Sequence, residues 1–487
     1  MLKTNTKEEK NTSRSHSKLT MVSFNLSGTL TQWVYASMGF FVIFFYETVV
    51  GLDILYAMTA FILYSIYNAI NDPMMGYIMG RISAPFEKKR HWKRFPWIVI
   101  SLIPWLFSFL LIYAVPLEWN PQVDPSYNLP VFFWMLISLC IYDTCISLFE
   151  VNTYSLFPDK FPDIDERRTS QGIGTILGLF GTTLAAIIPP MFITKGVQAS
   201  YRTSSLVVFF GGILFFVLSL PGLWEDKQTI EQYKKRADTL DKEKPESFIN
   251  AAKTVFQFNS AKARYILTFG WQVAVVQLQY SATYIIAYIL DAEADLLTLL
   301  LLPMILGAII GAPIWLKISK RINDNKKTVV YGGMVMVIGF IPMFFVVDLV
   351  GWMISFLIFG VGLSSQWNLE NPIMGDIVDE AAVVTKKRQQ GIFYGYQSFF
   401  VRIGHSSILI TIAIVHILTG FVEGAPTLDA LKLVSPSWEL AVFGVRIHAA
   451  IIPAVILAIC LVLFWKIYDL TPEKIESNKE ILKQYGL

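Results

Sequence analysis

Two short runs of the sequence place oxygen-bearing side chains inside apolar surroundings. Asn68, Asn71 and Asp72 stand at i, i+3 and i+4, which puts them on one face of a helix. Asp143, Ser147, Glu150 and Tyr154 stand at i, i+4, i+7 and i+11, again a single helical stripe. Carboxylates, amide oxygens and hydroxyls are ligands for hard cations, and a close carboxylate pair can instead hold a proton. An ionisable group in hydrocarbon is costly and marks a site or a pathway. Where these two faces meet, they would offer carboxylates, amide oxygens and hydroxyls to a cation or hold a proton, with Asp72 and Glu150 among the acids weighed. A structural alternative stays open, in which Asp72 or Glu150 caps a helix or pairs with a nearby Arg. The role of Asp143 is equally open.

A second set lies in the C-terminal half. Trp367 and Glu370 share a face, with Asp376 and Asp379 a little further on. Gln397 and Arg402 occupy the next apolar segment, followed by His405 and His416. Arg402 stands near the middle of that segment, where it either neutralises Glu370 or Asp376 or binds an acceptor-rich molecule. Glu370, His405 and His416 read equally as satisfied polar groups.

Composition says what must position these groups. The 487 residues are 54% hydrophobic, 14% aromatic and 16% charged, with a net charge of +3. Soluble domains carry roughly 25% charged residues. Disorder, a fibre and a disulfide scaffold are excluded, and the small, scattered basic excess argues against a nucleic-acid partner. Cys140, Cys145 and Cys460 all lie in apolar runs and read as buried thiols. An integral membrane protein is left, and a span needs roughly 20 apolar residues. Twelve spans are expected: 20–46, 54–80, 95–116, 130–157, 170–194, 203–224, 263–290, 296–317, 327–348, 351–378, 390–420 and 439–468. Residues 1–19 form a polar tail without a cleavable-signal pattern, 225–262 a hydrophilic linker, and 469–487 a second tail. Loops on one side hold 35 Lys and Arg, nine of them assigned to the central linker, against three on the other. The positive-inside rule then makes both termini and the linker cytoplasmic, in a multi-pass protein of the cell membrane.

The sequence also repeats. Arg168 follows Glu150 by 18 positions, and Arg388 follows Glu370 by 18; each Arg precedes a Gln-Gly pair that opens the next span. The offset is 220 residues. Two parallel six-span halves, 20–224 and 263–468, fit an all-α membrane protein of the major facilitator fold with a polar centre between two six-helix bundles. His-Glu-x-x-His, Gly-x-Ser-x-Gly and Walker patterns are absent, so an intramembrane enzyme is not expected.

Asn71-Asp72-Pro73-Met74-Met75-Gly76, then the basic loop and Arg94-Phe95-Pro96-Trp97, resembles the helix-two signature of the glycoside–pentoside–hexuronide:cation symporters. Asp376-Ile377-Val378-Asp379, Arg388 and Tyr396-Gln397 through Arg402 resemble that family's span ten to eleven segment. The resemblance implies a cation-coupled symporter, most simply a monomer, that carries a small polar solute such as a sugar or glycoside with Na+, Li+ or H+ and needs no other cofactor. It implies a cation site at Asn68, Asn71, Asp72, Ser147 and Glu150. It also implies a substrate site at Gln32, Tyr154, Trp367, Gln397 and Arg402, the last standing where the family has Lys. This chain departs from the pattern at four places. Asn68 replaces an acid, Glu150 a shorter Asp, Gln32 the sugar-gripping Asp, and Ile176 its Arg partner. Related eukaryotic lysolipid symporters share the helix-two motif, so an amphipathic solute is the alternative.

Overall fold

A computed structural model describes residues 16–81, 92–161, 164–227, 229–230, 253, 255–386 and 390–485. Twelve long helices account for most of them: α1 Lys18–Phe44, α2 Ile54–Arg81, α3 Phe95–Ile112, α4 Asn128–Lys160, α5 Ile164–Ile187, α6 Gln198–Leu223, α7 Asn259–Tyr284, α8 Leu296–Ile322, α9 Asn325–Phe345, α10 Leu349–Thr385, α11 Gln390–Thr419, and α12 Trp438–Ile467. A short amphipathic α13, Pro472–Tyr485, follows. Local chemistry sets several starts. Ser17, Asp324 and Asp348 cap α1, α9 and α10 by accepting from Thr20 N (3.1 Å), Lys327 N (3.0 Å) and Gly351 N (2.9 Å).

Each expected span coincides with one long helix, but among the described residues only ten are long and apolar enough to cross a membrane on hydropathy. The other two are α2, with the shorter apolar stretch Ile54–Asn68 among its described residues, and α7. Arg264, Gln272, Gln277 and Gln279 dilute the hydropathy of α7. Its position explains why that is tolerated, because most of its residues are buried against protein.

Packing repeats with a period of six helices. α1 lies against α5 and α6 as α7 lies against α11 and α12; α3 and α2 flank α4 as α9 and α8 flank α10. The first six helices meet the last six along α1–α7, α2–α11 and α5–α8. Glycines permit the tightest approaches. A Cβ on Gly222 would strike the backbone of Phe24, and one on Gly360 the backbone of Met304. α1 and α7 both run on into π-helical turns, Phe45–Val49 and Ile285–Ile289, 240 residues apart, and a third, Ile447–Ile451, lies inside α12.

Ion pairs tie the basic ends. α13 is held to α10 by Lys474 Nζ on Glu380 Oε1 (2.5 Å) and Lys479 near Asp376 (3.9 Å). Ahead of α1, His16 Nε2 lies 3.2 Å from Asp226 Oδ2. The bond to Asp226 outweighs burial and raises the His16 imidazole above its usual range. Burial works against the Asp226 carboxylate, yet His16 and Thr229 bind it and Lys160 lies near, so it sits below the usual carboxylate range. A raised His contributes stability that is present below its unfolded pKa of 6.5 and fades as pH rises through its folded value. The wild-type Tm is therefore expected to fall as pH rises above 6.5, and His16→Gln to flatten that decline. An equal slope in both proteins, measured by thermal melting from pH 6 to 9, would dismiss the tie.

Candidate functional site

α2 crosses α4 so that the two polar faces meet at Asp143, which is 3% exposed. Its carboxylate accepts from Asn71 Nδ2 (2.9 Å), from Asn68 Nδ2 and from the Tyr64 hydroxyl (3.3 Å). Asn71 Nδ2 also lies 3.2 Å from Ser147 Oγ, and Tyr67 bonds Thr144 at 2.5 Å. Of the expected cation ligands, Asn68, Asn71 and Ser147 are thus assembled, around a carboxylate that the sequence left undecided. Glu150 lies nearly two turns along α4, where it accepts from Tyr154 (3.1 Å). The side chain of Asp72 lies outside the described residues.

The donor set fits a hard cation. Amide N–H groups now satisfy the Asp143 carboxylate; a half-turn of Asn68 or Asn71 would offer an amide oxygen to an ion instead. Asp143, two amide oxygens and the Ser147 hydroxyl would then supply oxygen ligands of the required kind.

Arg402 reaches this cluster from the other half of the molecule. Its Nη1 donates to Asn68 Oδ1 (2.6 Å) and to the Asn68 carbonyl (3.3 Å). One turn on, His405 Nδ1 meets the Tyr35 hydroxyl of α1 at 2.8 Å. The carboxylates weighed as partners for Arg402 have other contacts. Glu370 accepts from Gln397 and pairs with Arg264 Nη2 at 3.7 Å. Asp376 accepts from Asn325 (3.3 Å) and faces α13.

The expected substrate residues are dispersed over four helices. Gln32 is exposed, its amide oxygen 3.4 Å from Thr182 Oγ1; Tyr154 and Trp367 are 67% and 37% exposed, and Gln397 is buried. No hydrogen bond among the described residues joins any of the five to another, so the structure does not by itself assemble them into a pocket. A groove of about 450 Å³ does open between α2 and α4, lined by Leu63, Leu136, Ile137 and Ile141, with Tyr67 and Thr144 at its polar spot. Tyr67 also lies 3.5 Å from Asn71 Oδ1, so this groove adjoins the Asp143 cluster.

Sequence reasoning missed Tyr64 and Tyr35, which look like ordinary span aromatics, and Arg264. Arg264 is one of the nine cations assigned to the linker, yet it is wholly buried on α7. It is counted with the linker although it is the second residue of the expected span 263–290, because a cation at the very edge of an apolar run reads as the end of the hydrophilic stretch before it.

Comparison with known proteins agrees with this architecture. The D-xylose-proton symporter superimposes with a TM-score of 0.59 at 12% identity, covering 93% of this chain and 98% of that one. A bacterial homologue of the human lysosomal transporter Spinster, inward-facing and unoccupied, gives 0.60 at 11% identity, covering 95% and 98%. Among sequences, a sodium-dependent lysophosphatidylcholine symporter 1 of Gallus gallus is 24% identical over 422 residues, 78% of this chain and 74% of its own. The glucuronide carrier protein homolog of Escherichia coli (strain K12) is 20% identical over 485 residues, 96% and 97%. These relatives are transporters and not enzymes. With residues 23–472 matching the family model for MFS/sugar transport proteins, the chain belongs to that family of the major facilitator fold.

Proposed function

We propose that this protein is a cation-coupled symporter whose coupling site is the Asp143 cluster, with Asn68, Asn71 and Ser147 as its neutral ligands. The observation that carries the reading is the continuous path Asp143–Asn68–Arg402 across the two halves. While Arg402 holds Asn68 Oδ1, that oxygen is occupied; a solute that draws Arg402 away frees it for an ion. Solute and cation would thereby favour each other's binding, which is what symport requires. Residues 20–224 and 263–468 act as the two bundles, with both termini cytoplasmic in the cell membrane and a monomer as the working unit.

The solute we infer is small and polar, a sugar or glycoside, held by Arg402 and Gln397 with Gln32, Tyr154 and Trp367. Aromatic faces pack on the apolar face of a sugar, and amides match hydroxyls. A second reading, an amphipathic solute with an acyl chain, is favoured by the apolar groove that adjoins the same cluster at Tyr67. The names of the two sequence relatives point to these same two classes.

Counterflow in proteoliposomes decides between them. A labelled glycoside or glucuronide, and separately a labelled lysophospholipid, is exchanged with and without an inward Na+ or H+ gradient. Arg402→Ala is expected to reduce exchange at least about tenfold, the cost of one lost charge-assisted contact, and Gln32→Ala by less. Exchange of neither solute under either gradient would defeat the proposal. Normal solute binding in Arg402→Ala, with coupling alone lost, would remove Arg402 from the solute site.

A further inference from the structure

The face opposite the basic loops is closed by contacts between the two halves. Lys195 Nζ pairs with Asp291 Oδ1 at 2.6 Å, and Thr298 Oγ1 donates to the Ala186 carbonyl at 2.8 Å. Glu47 also joins the two halves, from the π-turn that ends α1, and it is 0% exposed. Its Oε1 meets His416 Nδ1 of α11 at 2.5 Å, and its Oε2 accepts from the Tyr284 hydroxyl of α7. Its backbone carbonyl accepts from Gly424 N (3.0 Å). All three partners belong to the other half of the molecule.

The charge balance at this contact is informative. Among the described residues no Lys or Arg forms an ion pair with Glu47. The titratable groups that face the pair are Tyr284 and Tyr288 of α7, His448 of α12, Glu423 of the following loop and, beyond it, Asp53 at the start of α2. None brings a permanent positive charge. Leaving a carboxylate buried and uncompensated costs several kcal/mol. His416 can compensate it only by carrying a proton. Its Nε2, like that of His448, is buried without a hydrogen-bond partner among the described residues, so a ring nitrogen is free to take one up.

We propose that Glu47 and His416 form a proton-binding site, filled when this face is closed and emptied when it opens. Closing brings the carboxylate of one half against the imidazole of the other and takes up a proton; opening hydrates both groups and releases it to the same side. The site is separate from the Asp143 cluster: Glu47 follows α1, and His416 lies 14 residues beyond Arg402 on α11. It makes the closure of one face proton-linked, whatever ion drives the solute.

Distance measurement by electron spin resonance on the full chain in nanodiscs tests this. Cys140, Cys145 and Cys460 are replaced, and spin labels are placed at Val123→Cys and Leu433→Cys, exposed positions in opposite halves on this face. In the wild type, raising the pH from 6 to 9 should shift population toward the longer distance, by up to about tenfold per pH unit for one linked proton. Glu47→Gln should abolish the dependence, because an amide needs no counter-charge. His416→Gln should abolish it too, with the open population high throughout. Tyr284→Phe keeps both titrating groups and removes a hydrogen bond that joins the halves only in the closed state, so the opening midpoint should move to lower pH. Distances independent of pH in the wild type, or an unchanged response in Glu47→Gln, would overturn the assignment. So would an unmoved midpoint in Tyr284→Phe. No solute is needed, so failure here leaves the symport reading standing.

Discussion

Asp143→Asn is expected to weaken Na+ or Li+ binding by roughly 10- to 150-fold, the loss of one charge-assisted contact of about 1.5–3 kcal/mol. The substitution is nearly isosteric, and Asn68, Asn71 and Tyr64 around it can still exchange hydrogen bonds with an amide. Folding should therefore survive while the charge that attracts the ion is gone. Thermal stabilisation by NaCl against choline chloride at constant ionic strength reads the loss directly. Glu150→Gln serves as the comparison. Glu150 is bonded to Tyr154 and is not hydrogen-bonded to the cluster, so its effect should be the smaller. If Glu150→Gln proves the more damaging, or Asp143→Asn leaves ion stabilisation intact, the ion sits lower on α4, nearer the position expected from the sequence.

The largest effect on stability should come from Glu370→Gln. Arg264 is fully buried, and its Nε, Nη1 and Nη2 have no hydrogen-bond partner among the described residues. The ion pair with Glu370 at 3.7 Å is what offsets its charge. Removing that carboxylate strands a guanidinium away from water, at a cost of about 3–5 kcal/mol. Arg264→Met should cost less, because the Glu370 side chain is 25% exposed and keeps its bond from Gln397. The double variant Arg264→Met/Glu370→Leu should recover most of the loss. Melting curves of all three in one detergent check the order, and a double variant worse than Glu370→Gln would show that the pair is not an isolated unit.

The helices and the two polar faces of α2 and α4 were legible because they depend on periodicity. Apolar stretches of fixed length mark the spans, and the i, i+4, i+7 stripe places Asp143, Ser147 and Glu150 along one side of α4. Periodicity cannot say how far one helix slides along its neighbour. That slide decides whether Asn68 and Asn71 meet Asp143 or Glu150, and it is fixed by packing between α2 and α4, which no single-sequence pattern encodes. Arg402 was recognisable as an isolated cation in an apolar run, but its reach to Asn68 depends on how the halves dock. Glu47 was invisible for a different reason. The span was expected to stop at 46, where polar residues begin, whereas the chain continues in a π-turn that carries Glu47 into protein.

Those π-turns bear on how the chain tolerates changes of length. An ordinary helical turn advances about 100° per residue, and a π-turn absorbs one residue beyond the α-helical count. Deleting Phe45 or Tyr46 would let α1 revert to regular winding and swing Glu47 about 100° away from His416 and Tyr284. The same arithmetic applies to Ile285–Ile289 and Ile447–Ile451, which carry Tyr288 and His448, both ring neighbours of Tyr284. At these three tracts the number of residues is as constrained as their identity, and a conservative substitution would be borne more easily than the loss or gain of a single alanine.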